Sequence, residues 1–379
     1  MNIGILYPRS GAHPELMVDY MDGIKTALKQ HGLDKKVQLF SESIGFGGSE
    51  KEVYEKAEKL ILLEKVDILV AYVDLRVAPF LTPLLTREDK LLVIVNPGAN
   101  HPEGWVLQEG AIYLTLQHAF HSWLSGSLAE KMENKNGIYA TTFYDCGYIH
   151  GASMLRAFTE AGGTIMFNYI NNQPYDKFDI DQLAAFLGTT NDTTNLFCVM
   201  DALPASLFYK LLNELPNADK LNLFVSPMML EEAALKDAGD GFKFLIDGYL
   251  PWIFSQENDA NKAFAAFYNE QVKHDPSIFS LLGWETGLVL KEIIQTGTTG
   301  RKKIIDDLAT IKIGSPRGTL KFDASTNQFI APVHKCSLKN GSSKLKTVWL
   351  EDIDAAWKTF TELPNEGTSS GWSNTYLCY

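Results

Sequence analysis

The chain reads as an α/β protein made of two similar lobes, each a Rossmann-like three-layer α/β/α sandwich. Three observations predict this class. Apolar strands alternate with amphipathic helices through two separate stretches, 1–120 and 137–249. Val66–Val73 and Leu91–Val95 are continuous apolar runs of the kind a parallel sheet buries on both faces. The two stretches also echo each other at a nearly constant offset. Val66–Asp74, followed by a helix containing Pro79, corresponds to Asn195–Asp201, followed by a helix opening at Pro204. Leu91–Pro97 (LLVIVNP) likewise corresponds to Leu221–Pro227 (LNLFVSP).

Taken in order, Ile3–Tyr7 is a short apolar strand and Glu15–His31 a helix with Met17, Met21, Ile24 and Leu28 on one face and Gly32 as its C-cap. Val37–Phe40 is a strand, followed by a Gly-rich turn and a helix that aligns Val53, Ala57, Leu60 and Ile61. The grammar resumes with strand Gly137–Phe143, helix Ile149–Ala161 closed by Gly162 and Gly163, and strand Thr164–Tyr169. Helix Asp179–Leu187, strand Asn195–Met200, helix Pro204–Leu215 and strand Leu221–Val225 complete the second half. After Tyr249 long helices take over at Asn258–His274, Ser280–Gln295 and Arg301–Ile311. A hairpin of Gly318–Asp323 with Gln328–Leu338 follows, then a strand Thr347–Leu350, a short helix and a polar tail. The first lobe is expected to comprise 1–118 and 250–332, the second 119–249 and 333–379.

With 379 residues the chain has room for two or three domains. Apolar residues at 45% and charged residues at 21% are those of an ordinary folded protein. Its 34 basic and 46 acidic side chains give a net charge of −12, which argues against a nucleic-acid partner. No uninterrupted apolar run approaches the ~20 residues of a membrane helix, so no helical span is expected. Met1 leads directly into a strand without a basic start or cleavage site. Either a signal peptide was removed before this numbering, placing the protein in the periplasm, or Met1 is the native start and the protein is cytoplasmic. Cys146, Cys198, Cys336 and Cys378 show neither a CxxC pair nor zinc spacing. Cys198 and Cys336, in apolar runs, are expected to be buried free thiols, with a Cys146–Cys198 disulfide left open.

Open parallel sheets bind ligands beyond the carboxyl ends of their strands. That rule selects the loops Pro8–Pro14, Asp74–Pro79, Asn96–Gly104, Asp145–His150, Asp201–Pro204 and Ser226–Met229. The Gly-rich turn Ile44–Glu50 lacks the third glycine and the later acidic residue of a dinucleotide fingerprint, and reads as a plain turn. His118 and His121 share a helical face and are expected to be a partly exposed pair rather than metal ligands. No nucleophile elbow and no HExxH occur, so neither catalysis, cofactor nor metal is expected. Asp74 and Asp201 close equivalent strands, where a carboxylate either caps the next helix or faces a cleft. Arg76 is placed to neutralise Asp74. Tyr148, Tyr249 and Trp252 are either core aromatics or pocket walls.

Several segments resemble the type I periplasmic solute-binding proteins, in particular the Leu/Ile/Val-binding branch that serves ABC importers. Ile3–Gly11 resembles the opening strand and Ser-Gly loop, and Met21–Leu28 the first helix. Ala57–Ile61 with Val66–Val70 is similar to the second βα unit, and Asn96–Pro102 to the Ser/Thr-Pro-Ala-Ala-Thr loop. Tyr144–Tyr148, Ala157-Phe158 and Ala161–Gly163 resemble the start of the second lobe. Asn261–Tyr268, Asp275-Pro276 and Gly318–Asp323 are similar to the late helices and closing hairpin. The resemblance implies two lobes joined by a three-strand hinge, closing on a ligand. It implies ligand contacts from Ser10, Leu16, Asp74, Leu75, Gly98, Ala99 and Asn100 in the first lobe. From the second it implies Tyr148 or His150, Asp201, Ala202 and Met228, with Tyr249 near the hinge; Arg76 and Trp252 join this set from the residue reading.

Two departures bear on the ligand. Asp74 and Asn100 stand where the family's serine and threonine hold an amino-acid carboxylate, and Met228 stands where a glutamate holds the ammonium. The expected function is therefore non-enzymatic binding of a small polar solute of an amino-acid or amide-like class, held by an altered clamp and carrying donors or a positive charge. A monomer delivering it to an ABC permease, or reporting it to a membrane sensor, is expected. The alternatives are a ligand-sensing regulatory domain and an α/β enzyme using the cleft.

Overall fold

The computed structural model describes residues 1–99, 108–143, 148–190, 192–239, 241–339, 342–348, 350–363 and 375–377. Local sequence accounts for most element boundaries. β1 (Asn2–Tyr7) leads to α1 (Leu16–Gln30), which buries Tyr20, Ile24 and Ala27 while Lys25 and Lys29 face water. Gly32, at φ +65°, ends α1 in the left-handed conformation that a glycine adopts without steric penalty. β2 (Gln38–Ser43) is followed by α2 (Glu50–Glu58), where the Ser49 hydroxyl accepts from the Glu52 amide at 3.2 Å. The Gly-rich turn thus ends in an N-cap. β3 (Ile68–Tyr72), α3 (Ala78–Arg87), β4 (Leu91–Asn96) and β5 (Ala111–Thr115) follow.

The second series is α4 (His118–Ser127), β6 (Asn136–Thr142), α5 (Tyr148–Glu160), β7 (Thr164–Asn171) and α6 (Asp181–Leu187). It continues through β8 (Thr194–Val199), α7 (Ala202–Glu214), β9 (Leu221–Val225), α8 (Glu232–Ala238) and β10 (Leu245–Leu250). Then come α9 (Asp259–Val272), α10 (Ile278–Thr296), opened by a Ser277–Ser280 capping box, and α11 (Arg301–Leu308). β11 (Lys312–Ser315), β12 (Gly318–Asp323), β13 (Gln328–Ile330), β14 (Val333–Lys339), β15 (Ser342–Val348) and α12 (Leu350–Glu362) complete the regular elements.

The strands form two sheets. The first has the order β11-β12-β13-β5-β4-β3-β1-β2, the second β15-β14-β10-β9-β8-β6-β7. Each contains a parallel core in one winding, β2-β1-β3-β4-β5 in the first and β7-β6-β8-β9-β10 in the second, so the halves repeat each other strand for strand. The first sheet is covered on one face by α1 and α10 and on the other by α2 and α3. The second is covered by α6, α7 and α8 on one side, with α4 and α5 on the other. The chain passes between sheets after β5, after β10 and between β13 and β14.

Three expectations need correction. Gln328–Leu338 is not one strand: β13 joins the first sheet and β14 the second, because Ala331 and Pro332 carry the chain across and proline cannot extend a ladder. His118 and His121 are fully buried, since α4 is enclosed along its whole length between α5 and β10. The tail is not merely polar surface: Thr375, Tyr376 and Leu377 are buried. Cys198 and Cys336 are buried free thiols, as expected, which closes the disulfide alternative; burial pushes the Cys336 thiol up to about 11.

Candidate functional site: the cleft between the two sheets

In a doubly wound sheet the crevice opens where the strand order reverses, at the carboxyl ends of the strands flanking that point. Here these are β1 and β3 in the first sheet and β6 and β8 in the second. The loop after β1 meets the end of β8. His13 Nε2 lies 2.9 Å from Asp201 Oδ2 across the gap, and His13 Nδ1 lies 3.3 Å from Glu15 Oε1. Burial alone would depress the His13 imidazolium, but the hydrogen bonds to Asp201 and Glu15 outweigh it and lift its pKa to about 10. His13 is therefore a cation at neutral pH. Asp201 also caps α7, accepting from the Ala202 amide at 2.8 Å.

Beside this bridge sits Tyr376. Its ring makes edge contacts with His13 at 5.2 Å, Phe279 at 5.1 Å and His118 at 5.7 Å, and its hydroxyl donates to Glu231 Oε1. Its carbonyl accepts from Ser10 Oγ, which also accepts from the His13 amide at 2.9 Å. Thr375 Oγ1 lies 2.7 Å from His150 Nε2, and Ser122 Oγ lies 3.2 Å from His150 Nδ1. Burial lowers His150 to about 3, so this imidazole is neutral. Glu231 is raised to about 7, by burial first and by the neighbouring Asp201 charge after it. A cavity of about 240 Å³ adjoins, walled by His13, Glu231, Trp252, Phe254 and Phe279. The Tyr72 hydroxyl, the Ser226 hydroxyl and both ring nitrogens of His118 are buried without a hydrogen-bond partner among the described residues.

A second polar cluster underlies the crossings. Arg317, wholly buried, donates from Nε and Nη2 to the two carboxylate oxygens of Glu285 at 2.8 and 2.9 Å. It also donates to the Thr115 carbonyl at 2.9 Å and to Gln117 Oε1 at 3.2 Å, at the first crossing. His334 Nε2, just past the third crossing, lies 3.2 Å from the Arg317 carbonyl.

The residues expected from sequence are distributed unevenly about this cleft. Ser10, His150 and Asp201 come together through His13, Tyr376 and Thr375, and Ala202 and Trp252 wall the cavity. Trp252 is also tied to the core, donating from Nε1 to Asn261 Oδ1 at 2.7 Å. Asp74 serves as a cap, accepting from the Arg76 amide at 3.0 Å, and it binds Arg76 Nε at 2.8 Å. Leu16, Leu75 and Met228 are buried apolar residues. Gly98 lies against the first crossing: a Cβ there would approach the Gln117 nitrogen to 2.6 Å, and Ala99 follows it, buried. Tyr249 packs against the apolar cluster of α4, α5 and α12. Asn100 lies outside the described residues, as does the side chain of Tyr148.

Sequence reasoning did not single out His13, Glu231, Phe279, Thr375 or Tyr376. His13 fell inside a selected loop. The others belong to segments with no local signature.

Comparison with known proteins agrees with this fold. The profile of the periplasmic binding protein family matches residues 1–342. A solute-binding protein of an ABC transporter from Rhodopseudomonas palustris BisB5, in complex with 3,4-dihydroxybenzoic acid, superposes with a TM-score of 0.70 at 18% identity, covering 92% of this chain and 96% of that one. A second R. palustris solute-binding protein, with 4-hydroxybenzoate, gives 0.71 at 18% identity over 92% and 96%. The branched-chain amino acid transporter substrate-binding protein of Streptococcus pneumoniae, with isoleucine, gives 0.66 at 15% identity over 92% and 99%. No curated protein matches the chain. With its two repeated lobes, three crossings and a cleft at both switch points, the chain belongs to the periplasmic binding protein family and has the type I fold.

Proposed function

We propose that the protein binds a small polar solute between its lobes, without chemical conversion, and hands it to an ABC-type importer outside the cytoplasm. The observation that carries this reading is the His13–Asp201 bridge, because it joins the switch-point loops of the two lobes across the cleft. Closing over a ligand brings such loops together. The buried polar atoms of Tyr72, His118 and Ser226 without a partner among the described residues, all at or just beyond strand ends, are groups that a polar solute can satisfy.

The ligand class follows from the walls. The cavity offers the faces of Trp252, Phe254 and Phe279 together with cationic His13 and the carboxyl of Glu231. These suit a solute with a flat apolar body and hydrogen-bonding groups better than a simple aliphatic amino acid. Asp74 and Asp201 each already hold a cation from this chain, so a positively charged solute is not demanded. The hydroxybenzoates bound by the R. palustris proteins fit this description.

Calorimetric titration and thermal unfolding with 4-hydroxybenzoate, 3,4-dihydroxybenzoate, leucine and isoleucine test the reading. Any ligand of the folded state raises stability by about 2.7 kcal/mol at a hundred times its Kd. Stabilisation by the aromatic compounds, weakened in Asp201→Ala, is expected. Stabilisation by leucine alone, unchanged in Asp74→Ala and Asp201→Ala, overturns the ligand class.

A further inference from the structure

We propose that the segment Thr375–Leu377 is a tethered ligand: Tyr376 occupies a phenol-accepting subsite of the cleft, and an incoming solute binds there only by displacing it. The proposal rests on the solute-binding reading of the same cleft but makes its own claim about who occupies it. Three polar groups of these residues reach separate parts of the site. The Tyr376 hydroxyl donates to Glu231 in the second lobe, while its carbonyl accepts from Ser10 in the first. Thr375 bonds His150 in the second lobe. The Tyr376 ring is 1% exposed and stands at right angles to both His13 and Phe279, as an aromatic guest does in an aromatic-walled site. Leu377 is buried beside the Gly47 turn of the first lobe. Nothing in a strand or helix requires these contacts, because the segment belongs to neither.

Its backbone points the same way. Tyr376 has φ +67°, in the left-handed region that a residue with a Cβ enters only uncommonly. A tethered group acts at an effective concentration on the order of millimolar, so it competes with free solute without needing high intrinsic affinity. The class of free competitor follows from the chemistry of the seat: a ring of phenol size whose hydroxyl donates to a carboxylate, flanked by an amide or carboxyl group able to accept from Ser10.

The probes are N-acetyl-tyrosinamide and the capped pentapeptide Ser-Asn-Thr-Tyr-Leu, which repeats positions 373–377. In the full chain carrying Tyr376→Ala, folding being checked by its unfolding transition, the pentapeptide should bind at least tenfold more tightly than to the unsubstituted protein. Tyr376→Phe, which keeps the ring but not the donor, should fall between them. Equal affinity in all three proteins overturns the proposal. Should Tyr376→Ala fail to fold, hydrogen exchange on the unsubstituted protein decides: excess N-acetyl-tyrosinamide must accelerate exchange at the amides of Tyr376 and Leu377. Unchanged protection at those amides overturns it. If aromatic solutes stabilise every variant equally while the pentapeptide does not discriminate, the tethered ligand is wrong and solute binding stands. If the pentapeptide discriminates but no solute binds, the reverse holds.

Discussion

His13 shows how one side chain can record the state of the whole cleft. Its imidazolium is stabilised by a carboxylate from the opposite lobe, so its pKa of about 10 depends on the lobes being together. Because this value lies above the ordinary 6.5, the contribution to the closed form is fully present below about pH 6.5 and is lost as pH rises through about 10. Asp201→Asn should therefore lower the His13 titration, leaving Glu15 as its remaining hydrogen-bonded carboxylate against the effect of burial. An NMR titration of the ring Cε1 proton checks this; a His13 titrating near 6.5 in the unsubstituted protein would rule out the bridge. The loop containing His13 was legible in the sequence as a strand-end loop. Its partner was not, since no spacing rule connects positions so far apart. Asp74 illustrates the opposite outcome: a residue of the expected type at the expected place is satisfied locally by Arg76.

Among the elements, α1 and α10 carry the tightest constraint. They cross where glycine meets backbone: a Cβ on Gly283 would lie 2.0 Å from the Tyr20 carbonyl oxygen, and one on Gly23 would lie 2.2 Å from that of Ser280. Neither contact can relax by rotating a side chain, because both partners are main chain. Gly283→Ala should lower stability by about 1–3 kcal/mol, the usual cost of overpacking, despite alanine's better helix propensity. Urea unfolding measures it, and an unchanged midpoint would show that the helices do not approach so closely. The amphipathic pattern identified both helices. It said nothing of their crossing, which is a property of two surfaces rather than one. The same gap explains α4, whose His118 and His121 read as a partly exposed pair yet are buried.

For the molecule as a whole, the crossings are knotted by Arg317, which reaches Glu285 in α10 and Thr115 and Gln117 at the first crossing. Removing one member of a buried pair leaves the other charged and unpaired, so Arg317→Met should cost about 3–5 kcal/mol. Adding Glu285→Leu should restore much of this, as apolar replacements of buried ion pairs often do. A double substitution no more stable than the single one would argue that Arg317 holds the crossings chiefly through Thr115 and Gln117. Three short crossings between two rigid sandwiches also predict a hinge. Small-angle scattering should show a smaller radius of gyration with a saturating solute than in Tyr376→Ala without it. Equal dimensions would count against hinge motion.

What the sequence determined by itself is the local layer of this protein: parallel strands as short apolar runs, helices as 3.6-residue patterns, and the duplication of the two series. These signals are legible because each is satisfied within a few neighbouring residues. Even the candidate loops followed, since strand ends are local features and the binding rule for open sheets is general. Tertiary structure alone decided which loop ends face each other. It split Gln328–Leu338 between two sheets, paired His13 with Asp201, buried Arg317 against Glu285 and seated Tyr376 among residues from both lobes. Those contacts join distant parts of the chain, and their energy comes from desolvation and geometry that exist only once both lobes have formed. No window of sequence contains them.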